Sequence, residues 1–157
     1  MYKLFVMDVD GTMTDGKVYI SSQGEVFKAF DVKDGYGIKH ILPQLGIRTA
    51  IITGRNSEIV KRRAEELDIK LLFQGVSDKR KVLEELVEQE ECTLSEVVYV
   101  GDDLNDLECI EAVGFSACPA DAYHDLKNKV DYVASCRGGH GAVREVIDFI
   151  QNSLLCG

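Results

Sequence analysis

The stretch Leu4-Phe5-Val6-Met7-Asp8-Val9-Asp10-Gly11-Thr12 decides the fold. It is an apolar run that stops at two carboxylates one residue apart. Consecutive apolar residues of this length predict a strand buried on both faces, as in the middle of a parallel sheet. Gly11 then lets the backbone turn away. Asp8 and Asp10 are therefore expected at the carboxyl end of a central strand, where open α/β sheets hold their ligands.

Outward from that strand, Val18-Tyr19-Ile20 and Val26-Phe27-Lys28-Ala29-Phe30 flank a glycine-containing turn and predict a β-hairpin over about residues 17–30. A helix is expected from Tyr36 to Leu45, disturbed near its end by Pro43. Ile47 to Thr53 is a second apolar strand. A helix capped by Asn56 or Ser57 follows, with Ile59, Val60, Ala64 and Leu67 on one side. Leu71 to Phe73 is a third strand, and Ser77 or Asp78 opens a helix whose stripe is Val82, Leu83, Leu86 and Val87. Val97 to Val100 ends at Gly101-Asp102-Asp103-Leu104-Asn105-Asp106. Beyond it are expected a helix to Val113, a strand at 115–118, a helix near 122–129, a strand at 132–134, and a last helix after Arg137-Gly138-Gly139-His140-Gly141. Strands alternating with helices predict an α/β fold with a mainly parallel, doubly wound sheet, a projecting hairpin, and residues 1–157 as one domain.

The composition narrows function. A formal charge of −9 argues against general affinity for nucleic acid or anionic membranes. No apolar run approaches the roughly 20 residues of a membrane span, and no signal-like segment opens the chain, so a cytoplasmic protein is expected. The five cysteines form no CxxC pair and read as reduced thiols, not as a disulfide framework or a zinc site.

Polar groups end several strands: Asp8 and Asp10, then Thr53, then Asp102, Asp103 and Asp106, with Lys79 opening the helix between the last two sets. In a parallel sheet these positions converge. Several carboxylates in one crevice raise one another's pKa unless a cation compensates, and an all-oxygen donor set favours Mg²⁺ over zinc. With Mg²⁺ and Lys79 present, a phosphate dianion becomes an acceptable ligand, held also by Thr53 and the N–H groups near Gly54. Two carboxylates one residue apart permit one to attack phosphorus while the other protonates a departing alkoxide.

Asp8-Val9-Asp10-Gly11-Thr12, Thr53, Lys79 and Gly101-Asp102-Asp103-Leu104-Asn105-Asp106 resemble, in order, the four motifs of the haloacid dehalogenase superfamily of phosphatases. The match spans nearly the whole chain and implies that superfamily's Rossmann-like sheet. It also implies that Asp8 is the nucleophile and Asp10 the general acid and base. Mg²⁺ would be held by Asp8, the carbonyl of Asp10 and Asp102, with Asp103 or Asp106 acting through water or at one remove. Thr53, Gly54, Lys79 and Asn105 would grip the phosphoryl group.

The gaps between motifs leave no room for the cap domain common in the superfamily. The Asp15-Gly16 hairpin, Asp34-Gly35-Tyr36-Gly37-Ile38, Thr53-Gly54-Arg55-Asn56-Ser57, Phe73-Gln74-Gly75 and Arg137-Gly138-Gly139-His140-Gly141 resemble the capless branch. Its members hydrolyse 3-deoxy-D-manno-octulosonate (KDO) 8-phosphate or nonulosonate 9-phosphates, small sugar-acid phosphates. That resemblance implies a homotetramer assembled by the hairpins, with a neighbouring subunit covering each site. Arg55 in place of Glu tilts the expectation to the octulosonate ester, whose carboxylate a guanidinium holds in a bidentate pair. Arg63 either reaches substrate or pairs with Glu66 or Glu58. Asp34, Arg137 and His140 are further substrate candidates, with an ordinary loop as the alternative for the glycine-rich tail. Three rival readings stand: a nonulosonate 9-phosphate phosphatase, a non-catalytic tetrameric scaffold, and a signalling receiver domain. The order of the acidic motifs disfavours the receiver.

Overall fold

The computed structural model describes residues 1–156. Strand β1 (Leu4–Met7) lies at the centre of a six-stranded sheet with β4 (Arg48–Ile52), β5 (Leu71–Phe73), β6 (Val97–Val100), β7 (Phe115–Cys118) and β8 (Tyr132–Val133). The order is β5-β4-β1-β6-β7-β8, all pairs parallel. The chain winds from β1 out to one edge, returns, and fills the other side. The order therefore reverses beside β1, the switch point at which doubly wound sheets open a crevice.

The alternation within β1 serves two layers. Phe5 and Met7 pack with Ile51, Val98 and Val100 and with the helical run after the hairpin and the C-terminal helix α7 (Ala142–Cys156). Leu4 and Val6 point the other way, into Ala50, Ile52, Val97 and Tyr99, beneath α4 (Lys79–Gln89) through Leu83, Leu86 and Val87. All four β1 residues are buried, so the strand is fixed in register from both faces. Met7 is level with Ile51 and Val100, which sets Asp8, Ile52 and Gly101 side by side at the carboxyl ends.

The hairpin is a separate two-stranded sheet of β2 (Tyr19–Ser21) and β3 (Gly24–Phe27). The helix expected from Tyr36 begins earlier. Asp31 caps α1 (Val32–Tyr36) by accepting the Lys33 N–H at 2.7 Å, and a π-turn at Gly37–Ile41 leads into α2 (Leu42–Gln44). Pro43 does not stop the run. It stands at the start of α2, where the missing N–H costs least, and Leu42 reaches back to the Gly37 carbonyl. Helix α3 (Glu58–Glu66) is capped by Ser57, as expected. The helix expected to reach Val113 is shorter: a 3₁₀ turn at Leu104–Asp106, then α5 (Leu107–Ile110). A short α6 (His124–Lys127) precedes β8. Among the described residues no helix is long and apolar enough to cross a membrane.

Candidate active site

Above the carboxyl ends of β1, β4 and β6 lies an open cleft of about 270 Å³, lined by Asp8, Asp10, Gly16, Thr53, Gly54, Arg55, Asp102, Asp103 and Asn105. Three separate sequence segments thus meet in one place. The turn out of β1 is bound tightly, with the N–H groups of Thr12, Met13 and Thr14 all donating to the Val9 carbonyl. Gly11 has φ +88°, and a Cβ there would lie 1.8 Å from Asp102 Oδ2. Only glycine lets the two acidic loops approach this closely.

Lys79, 4% exposed, lies under the cleft, its Nζ 2.8 Å from Asp106 Oδ1 and 3.2 Å from Asp8 Oδ1. Tyr99 donates its hydroxyl to the same Asp106 oxygen at 2.7 Å, while Asp106 Oδ2 accepts the N–H groups of Asp102 at 3.1 Å and Asp103 at 3.4 Å. Asp106 thereby ties the helix-borne ammonium to the Gly101–Asp103 loop. Burial disfavours the charge on Lys79, but Asp106 and Asp8 outweigh it and raise the pKa.

The acids strain against one another. Burial, then the Asp106 charge, pushes the Asp8 pKa up, with Lys79 pulling it back. Burial, then Asp8 and Asp106, pushes Asp102 up as well. Carboxylate oxygens of Asp8, Asp102 and Asp106 lie within 4.8 Å of one another. A divalent cation fits such a site, because it supplies the charge the cluster lacks and the donors are oxygens suited to a hard ion. Both oxygens of Asp106 are already engaged by protein donors, which leaves Asp102 and Asp8, the latter with Oδ1 also 3.2 Å from Lys79 Nζ, as the carboxylates better placed to take a cation. Asp103 is exposed and caps the 3₁₀ turn, accepting the Leu104 N–H at 2.7 Å.

Asp10 has a partner that the motif reading missed. Lys28, the residue that follows β3, places Nζ 2.6 Å from Asp10 Oδ1 and 2.9 Å from Glu25 Oε1, and its side chain is 3% exposed. Glu25 in turn accepts the Ser57 hydroxyl at 2.6 Å, and Ser57 donates its N–H to Gln74 at 2.9 Å. Burial works against both charged groups of the Lys28–Glu25 pair. Their hydrogen bonds outweigh it, raising the lysine pKa and lowering that of Glu25. The available signal was a single lysine inside the otherwise apolar run Val26 to Phe30.

Four expected substrate contacts are not brought into the cleft. Asp34 is 2% exposed, accepts the Arg144 N–H at 2.9 Å at the start of α7 and does not line the cleft. Arg63 pairs with Glu66 at 3.3 Å and lies over the Phe30 ring, bordering a different, shallow hollow with Tyr36 and His40. Arg137 and His140 are exposed, and His140 Nδ1 stands 3.0 Å from the Gly138 carbonyl oxygen. The glycine-rich segment instead supports the site from below. A Cβ on Gly138 would lie 2.1 Å from the Gly11 carbonyl oxygen and 2.7 Å from that of Thr14. Gly139 donates to the Thr12 carbonyl at 3.3 Å.

Residues 72–147 match the haloacid dehalogenase-like hydrolase family. The 3-deoxy-D-manno-octulosonate 8-phosphate phosphatase KdsC of Yersinia pestis is 46% identical over 148 residues, covering 94% of this chain and 79% of its own length. The crystal structure of the Moraxella catarrhalis phosphatase of the same name, in complex with a magnesium ion, a phosphate ion and KDO, superposes with a TM-score of 0.92 at 43% identity, covering 97% of this chain and 87% of that one. The cobalt-bound Haemophilus influenzae enzyme gives 0.93 at 41%, with coverage of 97% and 88%.

Proposed function

The chain belongs to the haloacid dehalogenase-like hydrolases, within the group of KDO 8-phosphate phosphatases, and from that premise we propose that it releases phosphate from KDO 8-phosphate through an aspartyl-phosphate, an acyl phosphate on Asp8. The observation that carries the reading is the meeting of Asp8, Asp10, Thr53, Arg55 and Asp102 in one cleft, with Lys79 beneath them.

Asp8 attacks phosphorus in line as the bond from phosphorus to the sugar oxygen breaks, and the Asp10 carboxyl gives its proton to that departing oxygen. A sugar alkoxide leaves poorly without one. Water then attacks the Asp8-bound phosphorus, Asp10 takes the water's proton, and the carboxylate of Asp8 is released with inorganic phosphate. Thr53, the N–H groups near Gly54, and Asn105 grip the phosphoryl oxygens, and Lys79 offsets the negative charge that gathers on them. Asp8, Asp102 and the carbonyl of Asp10 would hold Mg²⁺, which supplies further positive charge to the phosphoryl group. Arg55, at the cleft wall, pairs with the sugar-acid carboxylate.

The hairpin leaves Ile20, Val26 and Phe27 70%, 52% and 49% exposed. Apolar surface of this kind supports a homotetramer built through the hairpins, with a neighbour closing each cleft. Because a phosphate dianion does not cross a bilayer unaided, the enzyme acts where its substrate is made, which this reading takes to be the cytoplasm.

The test is kcat/KM for KDO 8-phosphate against nonulosonate 9-phosphates in the wild type and Arg55→Glu. The wild type is expected to favour the octulosonate ester by at least about tenfold and the variant to lose that preference. Equal efficiency in the wild type would exclude the substrate assignment.

A further inference from the structure

Lys28 is an ammonium almost wholly withdrawn from water, held between the carboxylates of Asp10 and Glu25 at 2.6 and 2.9 Å. A buried lysine is costly unless its charge is matched, and here it is matched by a group at the reacting centre. The other partner is itself anchored, since Glu25 receives the Ser57 hydroxyl at 2.6 Å, and Ser57 caps α3. The series Ser57–Glu25–Lys28–Asp10 therefore runs from a rigid helix start, through the hairpin, to one oxygen of Asp10. The Asp10 side chain is 22% exposed and lines the cleft.

We propose that Lys28 is a positioning residue for the acid step: by occupying Oδ1 of Asp10 it fixes the carboxyl so that Oδ2 faces the departing oxygen. The inference rests on the assignment of Asp10 as proton donor. In the step itself the proton passes from Asp10 Oδ2 to the ester oxygen as the P–O bond breaks. Lys28 keeps all its protons and only orients the carboxyl.

An orienting role has a chemical signature. An alkoxide needs the proton at the moment of cleavage, whereas 4-nitrophenolate leaves without it. Since kcat/KM reports steps only through the first irreversible cleavage, the later attack by water does not obscure the contrast. The experiment compares kcat/KM of the Mg²⁺-loaded full chain for 4-nitrophenyl phosphate and for the sugar phosphate that the wild type hydrolyses fastest. Lys28→Met is expected to lose about 100-fold with the sugar phosphate and less than about threefold with the aryl ester, KM changing little with either. Lys28→Arg should recover most of the loss. Glu25→Gln, which leaves the lysine in place but loosens it, should lose about tenfold with the sugar phosphate alone, and it decides the matter if Lys28→Met does not fold. Equal losses on both esters, or no loss on the sugar phosphate, would overturn the proposal. The substrate assignment is judged separately, by which sugar phosphate the wild type prefers.

Discussion

Lys79 Nζ is 2.8 Å from Oδ1 of Asp106, a carboxylate with no exposed surface. The pair joins α4 to the loop after β6, so the cation beneath the cleft is held by a residue with both its carboxylate oxygens engaged. Replacing Asp106 by Ala would leave a buried ammonium beside Asp8 alone and free the N–H groups of Asp102 and Asp103. Urea unfolding is expected to show a loss of about 3–5 kcal/mol. A loss below about 1 kcal/mol would mean the pair is not structural.

Gly138 supports the turn after Asp8 and Asp10 through direct backbone contact. A methyl group there would overlap the Gly11 carbonyl oxygen at 2.1 Å, so Gly138→Ala must move the Gly11–Thr14 turn or the tail. A shift near 1 Å at reacting groups costs on the order of 100-fold. Steady-state kinetics should show that loss mainly in kcat, with the far-ultraviolet circular dichroism unchanged.

Glu145 binds the end of the sheet to α7. Its carboxylate accepts from the N–H groups of Ser135 and Cys136 and the hydroxyls of Tyr132 and Ser135, at 2.8–2.9 Å. Burial opposes the charge, but these donors outweigh it and bring the pKa down to about 2. Because the folded value lies below the unfolded one, the stabilisation is full above about pH 4.5 and fades as pH falls toward 2. Discounted for solvent screening it amounts to about 1–2 kcal/mol. Glu145→Gln should lower stability by that amount at pH 7, and the gap from wild type should narrow below pH 4.5 in denaturant titrations.

Asp34 carries the opposite sign. Burial pushes its pKa up to about 6, so the ionised form is penalised in the folded state above that pH and the penalty is relieved as pH falls from 6 toward 3.8. Asp34→Asn keeps an acceptor for the Arg144 N–H. The variant should be at least as stable as wild type at pH 7.5, should lose that advantage near pH 4, and should show an unchanged KM. A KM raised tenfold would restore Asp34 to the substrate site.

The strand ends were legible because their chemistry is local. An apolar run that stops at Asp, Thr or Gly-Asp marks the rim of a parallel sheet, and Asp8, Thr53 and Asp102 stand there. Asp34 was expected near substrate because Asp34-Gly35-Tyr36-Gly37-Ile38 is one of the segments that carry the family resemblance. The segment is in fact helical, and its acid caps a helix 110 residues later in the chain. That partner is set by packing between distant segments, which no spacing rule reports. Lys28 was hidden for the same reason. Its two partners are visible only once the hairpin folds against the loop after β1, whereas Lys79 could be read from its place at a helix start after a strand.

In the proposed reaction Asp8 carries the phosphoryl group. Rapid quenching of the Mg²⁺-loaded protein during turnover of KDO 8-phosphate, followed by peptide mass spectrometry, tests it most directly. A phosphoryl adduct on Asp8, formed and lost at rates matching turnover and absent from Asp8→Asn together with phosphate release, is the expected result. Phosphate release that persists in Asp8→Asn, or an adduct on another residue, would contradict the account.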